Sequence, residues 1–165
     1  MNILITGGKG YLGKRICSAL CEIKSYNVTV TSRTSDSISN LPKVSVLKVN
    51  TSEDNLNKVL SNIDVVIHLA ALDAPTCSKK PLEAIDVNIK DTVKWLEASK
   101  VAGVKQFFYF STIHVYGNQL KGNITEEKLP NPVNPYAVTH KCAEDYVLAY
   151  QDNDHFKSYV FRLSN

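Results

Sequence analysis

Between Thr6 and Gly13 the chain reads Thr6-Gly7-Gly8-Lys9-Gly10-Tyr11-Leu12-Gly13, which holds Gly-x-Gly-x-x-Gly and Gly-x-x-Gly-x-x-Gly in overlapping frames. The string follows a short apolar run and opens a helical pattern, the context in which it binds a diphosphate. Gly7 or Gly8 permits the tight turn, Gly10 lets a diphosphate approach the backbone, and Gly13 lets helix and strand pack closely. The helix N-terminal amides then face the phosphates, with Tyr11 and Leu12 beside them.

A second apolar run, Tyr26 to Thr31, ends Thr31-Ser32-Arg33. The acidic residue that would bind a ribose 2′-hydroxyl about 20 positions after the glycines is missing. Arg33 can instead pair with a 2′-phosphate, and Lys9 adds a second positive charge, so NADP(H) is favoured over NAD(H) as the cofactor. A solvated loop cation is the competing reading of Arg33.

Metal chemistry has no support. Cys17, Cys21, Cys77 and Cys142 match no zinc spacing, and His68 has no histidine or carboxylate at ligand spacing. The thiols read as small buried apolar groups suited to a reducing compartment, and the N-terminal run is too short for a signal-peptide core. The expected location is therefore cytoplasmic. No apolar stretch approaches the ~20 residues of a membrane span. The formal charge of +3 comes from scattered lysines, which argues against a nucleic-acid partner.

Positioning the glycine loop requires a sheet. Asn2–Thr6, Tyr26–Thr31, Val44–Val49, Asp64–Leu69, Gln106–Phe110 and Ser158–Leu163 read as six strands. Helical patterns over 10–23, 52–60, 81–102 and 136–150 separate them, and Gly103 caps the third. This alternation predicts an α/β doubly wound parallel sheet, a Rossmann fold with helices on both faces and strand order 3-2-1-4-5-6. Ligands in such sheets bind beyond the carboxyl ends of the strands, near the switch between the first and fourth.

Six segments in register carry a family resemblance: TGGKGYLG at 6–13, DVVIHLAA at 64–71, DVNIKDT at 86–92, FSTIHVYG at 110–117, NPYAVTHKCAED at 134–145 and FRLSN at 161–165. The chain resembles the extended short-chain dehydrogenase/reductases, the nucleotide-sugar epimerase/dehydratase group. The resemblance implies that Tyr136 takes the proton of a substrate hydroxyl as hydride leaves for nicotinamide, with Thr112 sharing the hydrogen bond and Ser111 beside it. It places His68, Leu69, Ala70 and Ala71 under the cofactor and Asn50 near the adenine, although Asn50 could equally cap the following helix. Asn88 matches an asparagine of the pocket-lining helix, with a purely structural role as the other reading.

One departure concerns catalysis. The family has lysine four residues after the tyrosine, where it binds the nicotinamide ribose and lowers the phenol pKa. This chain has His140 there, and Lys141 points about 100° away around the helix. An enzyme with an altered pH profile and a cofactor-binding fold with little turnover both follow from that. Ile113-His114 replaces the Asp-Glu pair of sugar 4,6-dehydratases, so epimerisation or ketoreduction is expected rather than dehydration.

The resemblance further implies that residues 1–165 form a dinucleotide-binding domain without the C-terminal substrate region, with Asn165 as a first contact to the sugar nucleotide's diphosphate. It also implies a homodimer through helices 81–102 and 136–150. The leading function is an NAD(P)-dependent epimerase or ketoreductase of a nucleotide-linked sugar. The alternatives are a non-catalytic dinucleotide-binding module that senses or scaffolds, and a reductase of a non-sugar carbonyl.

Overall fold

Six strands join into one parallel sheet in the order β3-β2-β1-β4-β5-β6. The computed structural model describes residues 1–32, 44–152 and 155–164. The strands are β1 Asn2–Thr6, β2 Asn27–Ser32, β3 Ser45–Lys48, β4 Val65–His68, β5 Gln106–Thr112 and β6 Lys157–Leu163. The helices are α1 Tyr11–Cys21, α2 Glu53–Leu60, α3 Ala74–Lys79, α4 Pro81–Ala84, α5 Thr92–Val101 and α6 Pro135–Ala149.

The central strands read as nearly unbroken apolar runs because both of their faces are covered. On one face Ile3, Ile5, Val28 and Val30 pack against Cys17 of α1. On the other, Leu4, Val66, Phe107 and Tyr109 meet Leu56, Leu96, Ala143 and Val147 from α2, α5 and α6. The doubly wound architecture and its strand order are as expected.

Coverage thins toward β6. Phe108 stacks on Tyr159 at 4.9 Å between ring centroids, and Phe110 lies 5.2 Å from Phe161. Tyr159 and Phe161 remain 38% and 43% exposed.

Three local structures depart from the sequence reading. The single helix expected over 81–102 is split, with a π-helical turn over Ile85–Asp91 between α4 and α5. The wider turn brings Ala84, Asn88 and Thr92, four residues apart, to the buried side, and leaves Ile85 48% exposed instead of in the core. Such π turns insert one extra residue per turn and are frequent at functional sites. The second departure is α3, capped by Asp73, whose Oδ1 accepts from the Thr76 amide at 2.9 Å. Third, β5 runs on past Phe110 to Thr112, and a 3₁₀ turn (Ile113–Tyr116) that carries His114 follows it directly.

The helix ends follow local rules. Asn134 caps α6 through its side-chain oxygen, 2.9 Å from the Ala137 amide, with Pro135 in the first turn. At the end of α5, Gly103 has φ +76° and donates to Lys100, while Val104 donates to Ser99, the paired bonds of a Schellman motif. Glu144 of α6 is fully buried and held by Arg162 of β6, whose Nε and Nη2 donate to the carboxylate at 2.8–3.2 Å. The Arg162 Nη1 donates to Tyr116 at 2.5 Å, so α6, β6 and the 3₁₀ turn are tied together below Thr112. None of the described helices is long and apolar enough to cross a membrane.

Candidate active site

The glycine loop sits at the carboxyl end of β1, at the switch between β1 and β4. Gly7 has φ +68°, and a Cβ there would come within 2.8–2.9 Å of the Leu69 and Ala70 backbone, so the tight turn belongs to Gly7. A Cβ on Gly13 would lie 2.5 Å from Gly8 Cα and 2.7 Å from the Gly7 oxygen, so α1 and the loop close on each other only with glycine there. Gly8 faces the Val30 side chain. Gly13→Ala is expected to lower stability by about 1–3 kcal/mol and to weaken dinucleotide binding, read from urea midpoints and calorimetry; an unchanged midpoint would show that the loop can spread.

A cavity of about 430 Å³ opens above the loop, lined by Gly7, Lys9, Gly10, Ser32, Val49, Thr51, Leu69, Ala70 and Ala71. Asn50 lies between two lining residues, and its side-chain oxygen accepts from the Ser52 amide and hydroxyl at 3.1 and 2.6 Å. A second cavity of about 320 Å³ is lined by Tyr11, Leu12, Ser111, Thr112, Tyr136 and His140. Gly7, Gly10, Leu69, Ala71 and Leu72 line both, which makes one cleft along the carboxyl ends of β1, β4 and β5. Arg33 and Asn165 lie outside the described residues.

A buried polar chain underlies the first half of the cleft. The Leu69 and Ala70 amides donate to Thr6 Oγ1, both at 3.2 Å, and Thr6 Oγ1 lies 2.9 Å from His68 Nδ1. His68 Nε2 lies 3.0 Å from Thr92 Oγ1, which donates to the Asn88 carbonyl at 2.8 Å. With Thr92 spending its hydrogen on Asn88, it accepts from His68 Nε2–H, and Nδ1 then accepts from Thr6. Burial first, and the His140 imidazole second, push His68 down to about 3, which agrees with a neutral ring.

Asn88 continues the chain. Its Oδ1 accepts from the Leu72 amide at 2.8 Å, and its Nδ2 donates to Thr139 at 3.0 Å, whose hydroxyl donates to the Tyr136 carbonyl at 3.0 Å. Asn88 thereby connects the loop after β4 with the first turn of α6. Sequence reasoning missed Thr92 and Thr139 as its partners, and Thr6 as the partner of His68. Thr92 stands one helical turn after Asn88, a spacing that could have flagged it.

In the second half of the cleft, Thr112 and Tyr136 line the same cavity. Thr112 Oγ1 accepts from the His114 amide at 3.3 Å, which leaves its own hydrogen to be donated. Burial pushes Tyr136 above the usual phenol value, opposed by the Thr112 hydroxyl. His140 packs edge-on against the Tyr136 ring at 4.4 Å, and burial lowers it to about 4, so it stands there as a neutral ring. Lys141 turns away to pair with Asp145. Ser111 Oγ and His140 Nε2 are buried without a protein partner. Two unsatisfied polar atoms in one wall of an elongated cleft suit a polar ligand such as a dinucleotide. Among the described residues no three His, Cys, Asp or Glu side chains gather as a metal site.

Comparison with known proteins gives the same picture. UDP-arabinose 4-epimerase 1 of Arabidopsis thaliana is 30% identical over 99% of this chain and 42% of its own length. dTDP-D-glucose 4,6-dehydratase of Mus musculus is 27% identical over 99% of this chain and 50% of its own. This chain thus spans about half the length of these curated relatives. A solved UDP-glucuronic acid 4-epimerase from Bacillus cereus, in complex with UDP-glucuronic acid and NAD, superposes with a TM-score of 0.87 at 30% identity, covering 98% of this chain and 56% of that one. The sequence profile of the NAD dependent epimerase/dehydratase family matches residues 3–165, and the chain belongs to that family.

Proposed function

We propose that residues 1–165 form the dinucleotide-binding domain of an NAD(P)-dependent epimerase or ketoreductase of a nucleotide-linked sugar, with Thr112, Tyr136 and His140 at the chemistry. The observation that carries this reading is that Thr112 and Tyr136 together line one end of a cleft whose other end is the glycine loop. Bound nicotinamide supplies the hydride acceptor, and the protein's part is the proton. Tyr136 exchanges it with the sugar hydroxyl or carbonyl oxygen, and Thr112 donates to the phenol oxygen so that the negative charge of the deprotonated form is shared. Gly7, Gly10 and Lys9 hold the diphosphate, Leu69 to Ala71 present backbone close to the ligand, and Asn165 is a contact for the sugar nucleotide.

The solved relative that carries NAD supports a pyridine dinucleotide. Charge at Arg33 and Lys9 favours the phosphorylated form, and NADP is expected to bind about fivefold tighter than NAD, the equivalent of a ~1 kcal/mol exposed ion pair. Calorimetric titration of both cofactors checks this; tighter binding of NAD would return Arg33 to the role of a solvated cation. Incubation with NAD and UDP-glucose or UDP-glucuronic acid, followed by NMR of the sugar, tests the activity. Dinucleotide binding without any conversion would favour the non-catalytic module, a reading that the raised Tyr136 phenol also supports.

The missing Asp-Glu pair, Ile113-His114 in this chain, favours epimerisation or ketoreduction over dehydration. A homodimer through helices 81–102 and 136–150 belongs to the same proposal, supported by the exposed Leu82, Val138, Tyr146 and Leu148. None of the four cysteines is in a disulfide, which supports a cytoplasmic setting.

A further inference from the structure

His140 is a neutral, buried ring in a cleft wall, and each of its two nitrogens has a different fate. Nδ1 lies 2.8 Å from the hydroxyl of Tyr109, a buried residue of β5. Nε2 is buried with no protein partner. Hydrogen bookkeeping separates the two tautomers. If Nδ1 carried the hydrogen, it would donate to the Tyr109 oxygen, leaving the Tyr109 hydrogen without an acceptor and Nε2 as a bare lone pair. Two buried groups would then go unsatisfied. If Tyr109 donates to Nδ1, its hydrogen is used and Nε2–H alone is left over.

We propose that Tyr109 fixes His140 as the Nε2–H tautomer, and that this hydrogen is a donor reserved for a neutral oxygen, hydroxyl or carbonyl, of the ligand in the Tyr136 half of the cleft. The inference rests on the dinucleotide reading for the ligand's identity but not for the tautomer. His140 is then a neutral binding residue and not a cation. Tyr109, which acts through His140, is a positioning residue. The chemistry follows from the surroundings: a ring with its charge excluded by burial gains little from a phosphate, whereas an uncharged oxygen satisfies a single N–H at no charge cost. Lysine at the same position would need a buried partner for its ammonium group, and Tyr109 offers only a hydroxyl.

The test is ¹⁵N–¹H NMR of the histidine side chains in the unaltered protein. In the ligand-free chain His140 is expected as the Nε2–H tautomer at pH 7; an Nδ1–H tautomer overturns the proposal outright. Saturating NAD, and separately UDP-glucose, is then added. A downfield move of the Nε2–H resonance with either ligand identifies which supplies the acceptor and supports the assignment. Binding of both ligands with the resonance unmoved overturns the ligand half and leaves the dinucleotide reading standing. No calorimetric binding of NAD or NADP overturns the dinucleotide reading itself, while the tautomer is still decided by the first spectrum. Tyr109→Phe should give a mixture of tautomers and raise the Kd for NAD roughly threefold to tenfold, up to about 1.4 kcal/mol. A Tyr109→Phe protein with a single Nε2–H tautomer and parental affinity removes Tyr109 from the account.

Discussion

Tyr136→Phe is expected to cut interconversion of the nucleotide-sugar substrate by roughly 10²–10⁴-fold, the size of a lost general acid or base, while dinucleotide affinity stays within about threefold of the parent on the scale of a single weak contact. The separation of the two effects follows from the geometry. Tyr136 lines the cleft beside Thr112, but its ring is held by the T-shaped contact with His140, which phenylalanine keeps. Burial raises the phenol, so the proton-donating form dominates near neutrality, and the rate of the direction in which Tyr136 must accept a proton should climb with pH well above 7. Turnover within tenfold of the parent, measured by NMR on the sugar, would show that the proton moves elsewhere, with His140 and His114, 4.4 and 6.3 Å between rings, the imidazoles to replace next.

Acidification should unfold the chain over a narrow window. His68 and His140 have folded values of about 3 and about 4, both below the 6.5 of an exposed histidine, and burial is the main cause for each. The unfolded chain therefore binds two protons between pH 6.5 and about 4 that the folded chain refuses. Stability is unaffected by these rings above pH 6.5 and falls as the pH drops below it, by up to about 1.4 kcal/mol per pH unit for each ring. Over the two pH units from 6.5 to 4.5 the two rings together remove roughly 5 kcal/mol, a large share of the ~5–15 kcal/mol available to a domain. Urea midpoints measured from pH 7 to 4.5 check the slope. His68→Gln, which cannot titrate, should halve it while lowering stability at pH 7; a slope that stays the same would mean that other groups drive the acid transition.

The fold was legible because its signals are local or repetitive. Apolar runs such as Asn2–Thr6 and Asp64–Leu69, punctuated by glycine, asparagine and helical stretches, define parallel strands, and the order follows from the connections. The glycine loop was legible for the same reason, since its neighbours in sequence are its neighbours in space. What escaped was set by distant packing. The π turn over Ile85–Asp91 exists because Asn88 and Thr92 are both drawn inward to Leu72, Thr139 and His68, partners up to 51 positions away. Tyr109 reads as one more aromatic in a strand. Its hydroxyl gains a partner only from the register between β5 and α6. Asp73 could have been recognised as a cap three residues before Thr76, but the short α3 behind it has no periodicity to detect.

The aromatic ladder on β5 and β6 has a practical corollary. Half-wet rings on Tyr159 and Phe161, carried by a strand that lies at one edge of the sheet among the described residues, form a surface that favours sticking to a second molecule. Colloidal behaviour during purification and concentration will be governed by this rim rather than by the modest positive charge, and a lysine exchanged for Phe161 is the first change to make when solubility limits an experiment.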